Sequence, residues 1–319
     1  MQFDILISNL SNPVLLFFLL GVVASLVKSD LEVPATTGKF IALYLLFSIG
    51  FKGGQELAHE TIDGHVAASL AFGVAIATLI PLYAFYLLKK FLDVQNAGAV
   101  AAAYGSVSAV TFVAASSFLE SSGIAFSGHM VAIMALMESP AIIVAMVLLS
   151  RYDRDRDNAH GLGAVIRHSL TNGSVLMLVG SLVIGIAADA KQAEGIRPFT
   201  TDIFKGFLAI FLLEMGMVTA TRFGAFRKYG KIALLFGIAM PLVNGSLVAW
   251  LSGFVTHNPG DRFMFAVLAA SASYIAVPAA MRMAAPKADP GLYIPMALGV
   301  TFPFNITFGM PLYFSMIRG

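Results

Sequence analysis

Ala103-Tyr104-Gly105-Ser106-Val107-Ser108-Ala109-Val110-Thr111 and Ser271-Ala272-Ser273-Tyr274-Ile275-Ala276-Val277-Pro278 are two small, hydroxyl-rich stretches, each near the middle of an apolar run and roughly 165 residues apart. They belong to a wider correspondence between the two halves of the chain. Leu10-Ser11-Asn12-Pro13 matches Leu170-Thr171-Asn172-Gly173, and Ile49-Gly50-Phe51 matches Met215-Gly216-Met217. Gly105-Ser106-Val107-Ser108 with Ala114-Ala115 matches Ala270-Ser271-Ala272-Ser273 with Ala279-Ala280, and Met134-Ala135-Leu136 before Pro140 matches Met296-Ala297-Leu298 before Pro303. Any one of these matches could be chance. Four in the same order with nearly constant spacing mark an internal repeat, and an apolar repeat of this kind is the signature of an inverted-repeat transporter.

Composition agrees. Hydrophobic residues make up 58% of the 319 and charged residues 12%, with a mean hydropathy of +0.83, far from a soluble domain. At about 20 apolar residues per span the chain has room for around ten transmembrane helices and little else, which excludes a soluble catalytic domain. A formal charge of +2, with basic residues scattered among loops, gives no nucleic-acid surface. The absence of cysteine excludes thiol chemistry and disulfides. Met1 to Leu10 holds no Lys or Arg, so the first apolar run is expected to stay as a helix and not to be cleaved as a signal.

Polar breaks divide the chain into ten segments at about 12–28, 38–55, 66–88, 97–118, 129–150, 170–189, 204–221, 231–255, 262–283 and 291–316. The most polar break, Arg151 to His168, separates five segments from five, so the expected domains are residues 1–150, a cytoplasmic linker at 151–169, and residues 170–319. With the N-terminus outside, cytoplasmic loops hold 14 Lys and Arg against 6 on the other side, so both termini are expected outside, in the cell's inner (plasma) membrane. Five is odd, so the second half starts on the opposite side from the first, which makes the repeats inverted.

In hydrocarbon an unpaired backbone amide costs several kcal/mol, so a helix is interrupted only where the freed groups line a cavity or hold an ion. The fourth and ninth segments carry such interruptions: Gly105 permits unusual dihedrals, and Pro278 lacks an amide hydrogen. Two broken helices meeting at the midplane would aim helix N-termini at a bound anion. Small residues at spaced positions also let membrane helices pack closely without binding anything; their correspondence across the repeat favours a site. Glu138, in Leu136-Met137-Glu138-Ser139-Pro140, is an intramembrane carboxylate able to ligate sodium or carry a proton, or else one capped by hydroxyls near an aqueous vestibule. Glu214 is a second buried carboxylate, with Ser48 opposite it in the repeat. Asn305 is expected to hydrogen-bond between helices as a packing residue, and Lys52 with Glu56 to form a helix-surface pair.

No enzyme reading survives. His59, His65, His129, His160, His168 and His257 all fall in loops or at segment ends, so a serine nucleophile at Ser106 or Ser108 has no base at its depth. Paired mid-membrane aspartates are also missing; Asp261 reads as part of a loop, Asn258-Pro259-Gly260-Asp261.

At Gly105-Ser106-Val107-Ser108, Ser271-Ala272-Ser273 and Met215-Gly216-Met217 the chain resembles the sodium-dependent bicarbonate permease family (SbtA type), known best from cyanobacteria. Gly50 with Gly53-Gly54, Glu138 with Pro140 where the family usually has Asp-Ile-Pro, Arg222 with Arg227, and Pro290, Tyr293, Pro303 and Pro311 extend the match over nearly the whole length. The resemblance implies an all-α membrane protein of ten helices in two inverted sets of five. Helices one, two, six and seven would form a gate domain, and a core domain would contain crossing broken helices four and nine. It also implies a homotrimer that moves bicarbonate inward with sodium. Two departures matter. The family reads Ser-Ser-Ser-Asp-Ile-Ser-Gly-Pro-Pro where this chain has Ser271-Ala272-Ser273-Tyr274-Ile275-Ala276-Val277-Pro278, and a neutral phenol cannot balance a cation as Asp does. The loop between the halves is shorter than in cyanobacterial members, which weakens the case for their PII-like regulatory partner.

The expectation is therefore a sodium-dependent bicarbonate symporter working by alternating access, with no cofactor beyond the sodium ion it couples to. Gly105, Ser106, Val107, Ser108, Ser271, Ala272, Ser273 and Tyr274 would bind the substrate; Ser108, Thr111, Glu138 and Ser271 would bind sodium. The alternative is a sodium- or proton-coupled transporter of another small anion, such as an organic acid. A passive channel or a membrane receptor is a further class.

Overall fold

The computed structural model describes residues 13–61, 63–153, 167, 171, 173–223 and 230–318, and among them every regular element is a helix. Leu10, Ser11, Asn12, Leu170, Asn172, Arg227 and most of the linker at 151–169 lie outside the described residues. In chain order the main helices are α1 (Pro13–Leu26), α2 (Ala35–Ala58), α3 (Gly64–Leu88), α4 (Val94–Gly105), α5 (Ala109–Ser121) and α6 (His129–Tyr152). The second half supplies α7 (Gly173–Ala187), α8 (Phe204–Phe223), α9 (Gly230–Leu251), α10 (Pro259–Ala270) and α11 (Ala276–Ala284). A final helical run, α12 (Pro290–Arg318), closes the chain. Among the described residues six spans are long and apolar enough to cross a membrane: Gly64–Leu88, Val94–Ser121, His129–Tyr152, Pro198–Thr221, Gly230–Phe254 and Pro290–Arg318.

Short polar side chains start several of these helices by accepting from first-turn amides that have no partner inside the helix. Asp63 accepts from His65 and Val66 at the head of α3, and the Val66 and His65 amides hold its carboxyl below the usual carboxylate range. Asp93 does the same for α4, Asp289 for α12, and Asn258 for α10, where Pro259 fills the first helical position. Asp261, expected in a loop, lies instead in the first turn of α10; it is buried and accepts from the Ser127 amide at 2.7 Å and the Ser127 hydroxyl at 2.8 Å. Prolines shape the last span. Pro295 ends one α-helical stretch of α12, and the π-helical turns Met296–Thr301 and Asn305–Gly309 alternate with α-helix around Pro303, because each missing amide forces the ladder to shift.

Two helix pairs approach at backbone distance. On α1 and α8, a Cβ added to Gly21 would meet the Leu213 carbonyl oxygen at 2.0 Å, and one on Gly216 would meet the Phe18 carbonyl oxygen at 2.1 Å. On α7 and α2, a Cβ on Gly185 would meet the Phe51 carbonyl oxygen at 2.2 Å, and one on Gly54 the Leu182 carbonyl oxygen at 2.1 Å. Lipid offers apolar surface as good as leucine does, so membrane helices gain by letting backbones touch where side chains are small. Large apolar side chains such as Leu79, Val183, Leu235 and Leu247 point outward and exposed, as a lipid-facing surface requires.

Gly21→Ala and Gly185→Ala are each expected to destabilise the protein by about 1–3 kcal/mol, as overpacking against a backbone does. Gly180→Ala in α7, where an added Cβ meets nothing within 4 Å, is expected to be neutral or stabilising by up to about 1 kcal/mol. Thermal unfolding in detergent, comparing the three variants, checks this.

Candidate functional site

The two hydroxyl-rich stretches each interrupt a helix. Residues 106–108 separate α4 from α5, and residues 271–275 separate α10 from α11. The two interruptions are hydrogen-bonded to each other. The Ser273 amide donates to the Ala103 carbonyl of α4 at 2.8 Å. The Ser108 amide donates to the Ser271 hydroxyl at 3.0 Å, and that hydroxyl donates onward to the Leu268 carbonyl of α10 at 2.8 Å. Shifting the first bond by 165 residues (103 to 268, 108 to 273) yields the second, except that the Ser271 oxygen relays the contact in one direction. Further carbonyls at the ends of α4 and α10 are met by the Ser106 amide, which bonds Ala102 at 2.9 Å, and by Asn305 Nδ2, which bonds Ala270 at 2.7 Å. Asn305 thus takes the packing role expected of it, holding the end of a broken helix.

The four serines divide by what their hydroxyls are free to do. Ser271 both accepts and donates within the protein, and Ser106 donates to the Glu138 carbonyl at 3.3 Å. Ser108 accepts from the Thr111 amide at 3.1 Å and so caps α5; Ser273, two positions before the residue that heads α11, accepts a longer contact from the Val277 amide at 3.5 Å. Accepting uses only the oxygen lone pairs, so Ser108 and Ser273 each keep an O–H to donate. They stand at the N-termini of two half-helices, where partial positive charge collects, and all four serines are buried.

The remaining candidates lie on or near the elements that carry these two interruptions. Val107, Thr111 and Ala272 are buried, and Thr111 lies on the first turn of α5. Glu138 is on α6, its own carbonyl accepting from Ser106; the ion pairs formed among the described residues do not include it. The Tyr274 hydroxyl is buried with no hydrogen bond of good geometry; the Ser108 hydroxyl lies within looser hydrogen-bonding reach of it, and the Glu214 carboxylate acts on it through charge. Glu214 Oε2 on α8 is likewise buried and unpartnered, its carboxylate lying against Gly38 of α2, where an added Cβ would meet Oε2 at 2.2 Å. Two local expectations are corrected. Among the described residues positive-φ glycines are Gly123 and Gly230, not Gly105; Gly105 is required because a Cβ there would meet the Pro81 ring at 2.5 Å. Pro278 falls in the first turn of α11, where a missing amide is tolerated, so it starts the second half-helix and does not disrupt it. Sequence reasoning missed the Ala103 and Leu268 carbonyls, because a backbone acceptor leaves no mark on residue type. It also missed the Tyr104 to Thr301 contact at 2.7 Å, continued by the Thr301 hydroxyl to the Gly237 carbonyl at 2.8 Å, which ties α4 to α12 and α9.

A family model described as the Na+-dependent bicarbonate transporter superfamily matches residues 13–318. No curated protein matches the chain.

Ser271→Ala leaves the buried Ser108 amide without its acceptor, while the Leu268 carbonyl keeps the backbone amide of position 271 at 3.1 Å; the substitution is expected to destabilise the protein by about 1–3 kcal/mol. Ser273→Ala, which loses only the long contact from Val277, is expected to cost less than about 1 kcal/mol. Thermal unfolding of the two variants side by side reads the difference, and equal losses would remove the relay role given to Ser271.

Proposed function

The chain belongs to the Na+-dependent bicarbonate transporter superfamily, a family of membrane transporters and not of enzymes, and from that footing we propose that it is a secondary active symporter carrying bicarbonate inward with sodium by alternating access. The observation that carries this reading is the pair of broken helices held to one another, with the free hydroxyls of Ser108 and Ser273 at the N-termini of α5 and α11. Bicarbonate would lie there, taking donors from the two serines and from Tyr274, whose hydroxyl is a third available donor, with the backbone at Gly105, Ser106, Val107, Ser271 and Ala272 shaping the site. Sodium would be held by oxygens of Ser108, Thr111, Glu138 and Ser271. A sodium ion about 4 Å from the anion would offset about 4 kcal/mol of charge at an effective dielectric constant near 20, so the loaded site crosses a low-dielectric path far more easily than either ion alone.

The movement proposed is of a core (α3–α6 with α9–α12) against a gate (α1, α2, α7, α8), built from ten spans in two inverted halves, residues 1–150 and 170–319 joined by a cytoplasmic linker. The gate contacts support the inverted relation. Gly21 on Leu213 becomes Gly185 on Phe51, and Gly216 on Phe18 becomes Gly54 on Leu182, when α1 is superposed on α7 by 164 residues and α2 on α8 by 162. This packing pairs Gly216 with Gly54, one helical turn beyond Gly50. A homotrimer in the inner membrane with both termini outside completes the reading, and a PII-like regulatory partner is its least supported part.

The test is uptake of labelled bicarbonate into proteoliposomes at fixed pH, with and without an inward sodium gradient. Sodium-dependent accumulation is expected. Glu138→Gln, which removes a charge-assisted contact of about 1.5–3 kcal/mol, should weaken sodium dependence by about tenfold or more. Ser108→Ala combined with Ser273→Ala should abolish uptake; unchanged uptake would displace the site. Accumulation of an organic acid that follows the proton gradient instead would favour the second reading, which the neutral Tyr274 keeps in play.

A further inference from the structure

Away from the crossing, a cavity of about 30 Å³ lies between α2, α5 and the turn that leads into α8, lined in part by Ser48, Lys52, Ser116, Glu120, Thr200 and Thr201. By volume it holds about two waters. Ser48 is 1% exposed, and its hydroxyl has no hydrogen bond of good geometry; Tyr44, one turn earlier, donates to the Phe199 carbonyl and leaves its own oxygen beside Ser48 as an acceptor. A buried hydroxyl left without a good hydrogen bond on a cavity wall marks a place built for something polar. Charge says of which sign. Glu120 is matched by Lys205 at 3.4 Å, which leaves the Lys52 ammonium at the exposed mouth. Glu56, one turn beyond on α2, acts on Lys52 electrostatically but does not line the cavity. The walls therefore combine a cation with hydroxyl donors, the chemistry of a small oxyanion site.

We infer that this cavity is a second anion site, a waiting position on the outer approach to the crossing, where a bicarbonate-sized oxyanion is held by Lys52 and the hydroxyls of Ser48, Ser116 and Thr201. The inference rests on the transport reading for its purpose and on the cavity for its existence. Ser116 lies eight residues along α5 from Ser108, about 12 Å at 1.5 Å per residue, so one half-helix joins the two positions. The cavity also falls between proposed gate elements (α2 and the approach to α8) and a proposed core element (α5), on the side that the basic-residue count places outside.

The chain has no cysteine, so Ser48→Cys in the purified full chain carries a single thiol whose alkylation reads the cavity directly. Iodoacetate, an anion, and neutral iodoacetamide are the probes. Relative to a free thiol, iodoacetate should gain at least about threefold over iodoacetamide, from the local positive potential. Adding Lys52→Gln should remove that gain, and bicarbonate should slow both reagents. A ratio unaffected by Lys52→Gln, or alkylation that bicarbonate does not slow, overturns the proposal; Thr201→Cys repeats the measurement should Ser48→Cys fail to fold. In transport, Lys52→Gln should raise the bicarbonate KM about fivefold with Vmax kept within about twofold, the pattern of a lost capture step. Normal KM in a variant that transports bicarbonate overturns the waiting site alone. No bicarbonate uptake by the unmodified protein overturns the transport reading, and the alkylation result then decides the cavity by itself.

Discussion

Inside a bilayer a backbone amide or carbonyl has no water to turn to, and this constraint governs the middle of the molecule. Opening a helix at residues 106–108 and again at 271–275 frees carbonyls at the ends of α4 and α10 and amides at the starts of α5 and α11. The two openings share part of their hydrogen bonding. The Ser273 amide closes on Ala103, the Ser108 amide closes through Ser271 on Leu268, and Asn305 reaches across from α12 to Ala270. The bonds of Ser273 to Ala103 and of Ser108 to Ser271 pass between the halves, and Asn305 completes the second opening from within its own half. That sharing gives a physical reason for two stretches so far apart in sequence to resemble each other.

The same arrangement separates structural hydroxyls from available ones. Ser271 and Ser106 are engaged with main-chain groups, and their O–H bonds point into the protein's own frame. Ser108 caps its half-helix through its oxygen, Ser273 accepts a long contact from Val277, and both retain their hydrogens. Four serines that read alike in sequence thus have two different jobs. The interrupted backbone creates the need for the first pair, and the helix N-termini it exposes give the second pair a positive setting.

Around this centre the packing differs in kind. Between α1 and α8, and between α2 and α7, glycines bring carbonyls and backbones together with no room for a methyl group, the tight contact expected of helices that stay together. Between α2 and α5 there is a cavity rimmed by Lys52 and Glu120, both exposed. The proposed gate is held by close glycine contacts within itself, while α2 meets the proposed core tightly just before α6, where a Cβ on Gly128 would meet the Gly53 carbonyl oxygen at 2.6 Å, and across the open polar seam against α5.

Hydropathy and spacing are local properties, so the sequence by itself determined the helical class, the membrane-spanning composition and the two hydroxyl-rich stretches. Proline and glycine were legible as punctuation, but their reasons were not. Gly105 reads as a residue of unusual dihedral and is in fact small because the Pro81 ring lies against it, and Pro278 reads as a breaker and is in fact a helix start. Asp261 looked like a loop residue until its carboxylate was seen to hold Ser127, 134 positions away. Only the tertiary structure decided which serine keeps its proton, which carbonyl meets which amide, and where Ser48 is left without a hydrogen bond of good geometry. These are relations between groups remote in the chain, and a residue's type records what it can donate or accept, not what the fold sets in front of it.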